Sequence, residues 1–596
     1  MPTASGKMVR LILAVIVMTG LSACLTSPPA KIDLSHPGTQ AVEILPEPSS
    51  IPIRMDTITG SVLDTHGLPI SGATVRVKTS QQSVLTDHNG RFTLPGLEPE
   101  NAVILTAWAP GFYIGGGKEF VFPGSSEITL TLEAHSSTDN PAYSWVSAFS
   151  SSGYAGSEED GNCQNCHEDG QNKNLPFPEW QADAHALSTQ NPRFISMYTG
   201  SDLLGNLSPT TTFTYQRDYG RVPLPPDLNQ PYFGPGYRLD FPETAGNCST
   251  CHAPAAAIHA PYGVDPTQVS GVGGEGITCD FCHKIWDVRL DPQTNLPYAN
   301  MPGVLSFVFR RPPDGHQLFL GPYDDVAPGE DTYSPVQQQS QFCAPCHYGI
   351  FWDTVVYNSY GEWLESPYSD PLQAKAAGLS GAKTCQDCHM PPGQTTYIAA
   401  PEKGGLRRDP NTVFSHRMPG ASDETLLQNA LTMTSSGYRE GDTVVIGVTL
   451  LNDQTGHHIP TDSPLRHLLL LIDARDMSGQ PLVMVEGPVL PEWAGVGSVE
   501  QGYYAGLPGT AYAKVLTELW TETEPSGTYW NHTRVSSDNR LAAMQSDTTR
   551  YVFVAPADGK VRVSISLFYR RAFKQLMDWK RWDTPDILME FQQLSI

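Results

Sequence analysis

The chain has 596 residues, 39% hydrophobic and 17% charged, with 53 Gly, 51 Pro and a formal net charge of -25. At ~150 residues per domain it is expected to hold three or four domains, and the Gly and Pro content points away from a helical or membrane bundle toward a loop-rich, partly β chain. The negative charge repels phosphate backbones and anionic membrane surfaces, which excludes nucleic acid as a partner. It leaves a basic protein partner or plain solubility as its reading.

In chain order, Lys7 and Arg10 precede the apolar run Leu11-Ile12-Leu13-Ala14-Val15-Ile16-Val17-Met18. The run is too short to span a bilayer and reads as an export signal over residues 1-23. Its end, Leu21-Ser22-Ala23-Cys24, resembles the lipobox of bacterial lipoproteins, which implies lipidation at Cys24. An ordinary export signal with an incidental cysteine is the alternative. Residues 24-57 are Pro- and Ser-rich without apolar periodicity and read as a tether.

From 58 to 135 short β-type runs, among them Ala73-Thr74-Val75-Arg76-Val77 and Val103-Ile104-Leu105-Thr106-Ala107, alternate with turn residues such as Asp87-His88-Asn89-Gly90. A small β-sandwich is expected there. The phrases Thr59-Gly60-Ser61-Val62, Thr86-Asp87-His88-Asn89-Gly90-Arg91-Phe92 and Ala109-Pro110-Gly111-Phe112 resemble the carboxypeptidase regulatory-like domain, which implies a non-catalytic spacer or adhesion module.

Residues 140-422 hold every cysteine except Cys24, in five Cys-x-x-Cys-His motifs: Cys163/Cys166/His167, Cys248/Cys251/His252, Cys279/Cys282/His283, Cys343/Cys346/His347 and Cys385/Cys388/His389. Two thiols three positions apart can bond to the two vinyl groups of one haem, and the adjacent histidine then lies under the iron as its proximal ligand. A zinc knuckle or a thiol-disulfide pair needs no following histidine, so a histidine after all five pairs excludes both for the set. The region has few long apolar runs, and five covalent haems c are expected to supply its hydrophobic core.

The sixth ligand separates a carrier from an enzyme, because six-coordinate iron has no vacancy for substrate. Candidate distal histidines are His185, His259, His316, His416, His457 and His458, with His467 as a further spare. His185 follows the plausible helical stretch Trp180-Gln181-Ala182-Asp183-Ala184, and His416 follows the fifth motif. His457 and His458 open a loop between two predicted strands. Met390 cannot swing to the far face of its own iron, and Met418 is a remote alternative to His416. A surface or propionate-bonding role is the competing reading for each histidine.

Beyond 423 strand signals return in Thr443-Val444-Val445-Ile446-Gly447-Val448-Thr449-Leu450, Leu468 to Ala474, Tyr551 to Val554 and Val561 to Ser566. They predict a C-terminal β-sandwich-like domain over 423-596, with an apolar-striped helix from Phe568 to Trp579. The fold class is therefore multidomain, with an irregular, mainly α and loop pentahaem domain between two β domains.

The phrases Asn191-Pro192-Arg193-Phe194, Ala245-Gly246-Asn247-Cys248, Gly276-Ile277-Thr278-Cys279 and Thr384-Cys385-Gln386-Asp387-Cys388-His389-Met390-Pro391 resemble the multihaem cytochrome c superfamily. That superfamily includes tetrahaem electron carriers, octahaem hydroxylamine oxidoreductases and pentahaem nitrite reductases. The resemblance implies close-packed haems that pass electrons by tunnelling. Pentahaem nitrite reductases typically carry a lysine-ligated haem and hydroxylamine oxidoreductases eight haems, whereas all five motifs here end in histidine. The expected function is electron relay in the cell envelope, periplasmic or at the outer surface. Expected partners are redox proteins, other multihaem cytochromes or quinol-linked donors, with membrane contact through the lipid anchor. A reductase of a nitrogen or sulfur oxyanion at one open haem is the second reading, and an interaction protein acting through its β domains the third.

Overall fold

The computed structural model describes residues 56–149, 162–557 and 559–596; Cys24 and the predicted signal and tether, except Asp56 and Thr57, lie outside them. Near the N-terminus, alternation such as exposed Arg91, buried Phe92, exposed Thr93, buried Leu94 puts one face of each strand inward. A three-stranded sheet, in the order Arg91–Leu94, Ile58–Asp64, Ile128–Leu132, packs on a four-stranded one, Ser83–Leu85, Thr74–Val77, Val103–Trp108, Gly115–Val121. Ile58, Val62, Phe92 and Leu132 meet Val75, Leu105 and Ala107 between them. Gly60 is required in the central strand, since a Cβ there would lie 2.1 Å from the Ile128 carbonyl oxygen.

The C-terminal region is a larger two-sheet sandwich. One sheet runs Thr432–Glu440, Thr443–Leu451, Ser546–Val554, Met484–Glu486, and the other Thr533–Asp538, Gly509–Glu518, His467–Asp476, Val561–Arg570, Ile587–Ser595. Val444, Ile446, Val448 and Leu450 face Leu468, Leu470, Ile472, Val563 and Ile565 in its core. The predicted helix from Phe568 is corrected here: Phe568 to Arg570 continue the strand, and the helix is confined to Lys574–Lys580. Phe568 pairs with Leu469 on one side and Leu588 on the other, so two sets of ladder hydrogen bonds outweigh a local helical stripe.

Between the sandwiches the chain forms short helices, of which Pro192–Thr199 is the longest described there at 8 residues, and two-stranded ribbons. Among the described residues no helix is long and apolar enough to cross a membrane. The apolar clusters here are small, such as Phe177 with Trp180 and Phe281 with Phe307 and Phe309, and they surround a large internal cavity instead of a continuous core.

Candidate metal centres and their cavity

Each Cys-x-x-Cys-His motif folds into about one turn of helix: Cys163–His167, Ser249–His252, Cys279–Cys282, Ala344–His347 and Cys385–His389. Residues three apart on a helix share a face, so the two thiols of a motif stand together beside its histidine. Local capping sets two of these turns: the Thr278 side chain accepts from the Phe281 N–H, and Thr384 forms a capping box with Asp387. None of the ten described cysteines is in a disulfide.

All five turns line one cavity of about 2350 Å³, well beyond the ~300–1,000 Å³ of a single-ligand pocket. His167, His252, His283, His347 and His389 face it, as do His185, His416, His457, His458 and Met418. His259 and His316 are not among its walls. His259 is exposed, with its Nε2 3.5 Å from Arg311, and His316 is half-exposed, with its Nδ1 2.8 Å from Glu330. His467 is buried in the C-terminal sandwich, stacked on Phe573.

Three motif imidazoles are opposed by a second imidazole. Ring centroids are 6.5 Å apart for His283 and His416, 6.3 Å for His347 and His185, and 6.2 Å for His389 and His457. A metal bonded at about 2 Å to the near nitrogen of each ring would separate the centroids by roughly 6 to 6.5 Å, the spacing observed. In these pairs the Nδ1 atoms of His283, His389, His457 and His185 are engaged elsewhere, whereas His416 Nδ1 has no partner among the described residues and His347 Nδ1 lies 4.0 Å from Asp462. His283 Nδ1–H donates to the Leu320 carbonyl at 2.7 Å, His389 to Pro419 at 2.7 Å, His167 to Ile398 at 2.6 Å and His457 to His458 at 2.9 Å, while His185 Nδ1 meets Asp183 at 2.6 Å. Such bonds hold the tautomer that leaves Nε2 free to ligate. Burial pushes His416 down to about 3 and His252 down to about 4, and lowers His283, His347, His389 and His457 as well. These rings are neutral near pH 7, with a lone pair to offer.

The opposing histidines are held by their own contacts. The Glu179 carboxylate accepts from Ser415 Oγ at 2.9 Å and from the His416 N–H at 2.6 Å. The His185 carbonyl accepts from the Ile277 N–H at 3.0 Å, an approach open because Gly276, at φ +74, has no Cβ to meet that carbonyl at 2.4 Å. His458 lies beside Glu362 and opposes no motif imidazole.

His167 and His252 have no second imidazole in ring contact among the described residues; the His252 ring stacks on Phe194 at 3.7 Å instead. Arg193, Arg466, Arg571, Tyr357, Tyr529 and Asp462 line the cavity as well. Arg193 Nη2 and Arg571 Nε are buried without a hydrogen-bond partner among the described residues. Burial, then the neighbouring Arg571, holds Arg193 down to about 10. Arg466 lies 3.6 Å from Asp462, which approaches His347 Nδ1 at 4.0 Å. Of these, only Arg193 stood in a phrase noticed in the sequence; nothing local marks Arg466 or Arg571.

The motifs lie near one another: Cys282 and Cys346 pack against one apolar cluster, and the thiols of Cys163 and Cys279, Cys251 and Cys346, and Cys343 and Cys385 influence each other's protonation. Among the described residues there is no group of three or more His, Cys, Asp or Glu side chains able to hold a bare metal ion. Each opposed pair brings two imidazoles to bear on one point of the cavity.

Residues 57–133 match the carboxypeptidase regulatory-like domain family. The chain is similar to a penta-heme cytochrome c552 from Thermochromatium tepidum, at 19% identity and a TM-score of 0.46 over 73% of this chain and 97% of that one. A cohesin–X-dockerin complex from Acetivibrio cellulolyticus aligns with 13% of this chain and 58% of its own, at 17% identity and a TM-score of 0.12. No curated protein matches the sequence.

Proposed function

We propose that this chain is an exported electron-transfer protein that binds five covalently attached haems c and relays electrons between redox partners in the cell envelope, anchored there through Cys24. The observation that carries this reading is the gathering of five one-turn Cys-x-x-Cys-His motifs around one cavity, three of their imidazoles opposed by another at 6.2 to 6.5 Å. The residues fit the group. Paired thiols on one helical face would hold each macrocycle as thioethers, the motif histidine would ligate its iron, and His416, His185 and His457 would supply a second imidazole at the third, fourth and fifth centres. Haem c, when bound, supplies reversible one-electron exchange at iron. Five motifs gathered around one cavity would keep the tunnelling steps between haems short, and apolar walls such as Phe177, Trp180, Phe281 and Phe307 would pack against the macrocycles.

A second reading, reduction of a nitrogen or sulfur oxyanion, is favoured by one site. His252 has no opposing imidazole, and Arg193, Arg466 and Arg571 bring positive charge to the same cavity. A pyridine haemochrome count with oxidised and reduced spectra tests both. Five haems, at least three of them low-spin, are expected. A haem-free protein overturns the proposal, and a high-spin centre that binds small oxyanions promotes the reductase.

A further inference from the structure

The N-terminal sandwich is bound to the wall of the redox cavity. Its Arg76 guanidinium grips Asp324 at 2.6 and 3.0 Å, and the Thr79 N–H donates to Asp325 at 2.6 Å. Trp108 Nε1–H donates to Thr332 at 2.9 Å, the Ile114 N–H to the Asp331 carbonyl at 2.9 Å, and the Tyr113 hydroxyl to the Gln317 carbonyl at 2.9 Å. The segment so held, 317–333, contains Leu320, whose carbonyl accepts from His283 Nδ1 and whose N–H donates to the His283 carbonyl at 2.9 Å. The sandwich also lines the cavity itself, through Lys78 and Lys118, close to Arg408.

Most of the carboxylates at this wall are engaged by other groups. Asp324 is taken by Arg76, Asp325 by Arg408 at 2.8 Å, and Glu330 by His316 and the Gln317 N–H. Burial pushes the Asp331 carboxyl up to about 7, which weakens it as a counter-ion. Lys78 Nζ donates only to the Gly117 carbonyl, at 2.9 Å, and Lys118 makes no ion pair among the described residues. Neither lysine makes an ion pair among the described residues, Asp325 and Asp331 acting on Lys78 only from farther away, and both line the cavity.

Resting on the haem reading above, we infer that Lys78 and Lys118 form a binding site for the carboxylate groups of the macrocycle ligated by His283, so that the carboxypeptidase regulatory-like domain is a working part of the redox centre and not a detached spacer. Positive charge beside the macrocycle favours the reduced iron, which carries one positive charge fewer. The domain thus raises the potential of that centre.

The test is a resolved potentiometric titration of the full-length protein, comparing wild type with Lys118→Gln, the double variant Lys78→Gln/Lys118→Gln, and Lys118→Arg. One component of the five is expected to move to lower potential, further in the double variant than in the single one, with the others in place and Lys118→Arg close to wild type. Should the double variant melt early, Lys118→Gln, a change at an exposed position, decides alone. Five haems with every potential unmoved overturn this inference and leave the proposed function standing. A wild-type protein without haem overturns both.

Discussion

Replacing His416 with alanine tests the pairing on which the redox reading depends. The ring lies 6.5 Å from His283, centroid to centroid and 22° from parallel, and is held through Ser415 and its own N–H by Glu179. Removing it deletes one axial donor from one of five centres and leaves the motif histidine, the thiols and the Leu320 acceptor untouched. Whatever the spin state of the other centres, about one fifth of the iron is expected to pass from low- to high-spin. Integrated paramagnetic resonance of the oxidised protein measures that fraction, and absorption checks it independently. Added imidazole should restore the low-spin signal by filling the vacancy. An unchanged high-spin fraction in a variant with five haems would refute the assignment of His416 as the partner of His283.

Further outcomes follow from neighbouring contacts. Glu179→Gln turns one of two acceptors into an N–H facing a buried donor, at a cost of about 1–3 kcal/mol; partial high-spin signal at the His416 centre, with the haem count unchanged, is the expected readout. Asp325→Ala leaves the Arg408 guanidinium buried without its carboxylate, so urea unfolding should show a loss of about 3–5 kcal/mol. His467 is fully buried and pushed down to about 3, below its unfolded value, so the unfolded chain binds the extra proton between about pH 6.5 and 3. Its contribution is present above pH 6.5 and is lost as the pH falls through that window, by about 1.4 kcal/mol per pH unit. In denaturation across that range, His467→Phe should show a shallower acid slope than wild type, and parallel slopes would refute this.

The parts of this protein legible from sequence are those whose cause is local. A Cys-x-x-Cys-His string is one helical turn, and its geometry follows from the 3.6-residue period wherever the turn sits. The strands Thr443–Leu451 and His467–Asp476 showed in their alternation or apolar runs because their burial is set by period-two pleating. The helix expected from Phe568 failed for the opposite reason: its apolar stripe was real, but two neighbouring strands claimed the backbone. Spare histidines could be counted but not paired. His185 follows the first motif in the chain yet opposes the imidazole of the fourth, and His416 follows the fifth yet opposes that of the third.

Nothing near those residues in sequence specifies the partner; it is chosen by bonds from distant segments, Glu179 for His416 and Gly276-Ile277 for His185. The same holds for the lysines of the N-terminal sandwich, Lys78 in the turn after Thr74–Val77 and Lys118 on Gly115–Val121, which locally are ordinary polar positions and become cavity residues only when Arg76 and Trp108 dock onto 317–333. Sequence by itself determined the five one-turn Cys-x-x-Cys-His motifs, because each lies within five consecutive residues. Only the tertiary structure decided which imidazoles face one another and which charges surround them, because an axial pair is a relation between two backbones that the chain brings together from far apart.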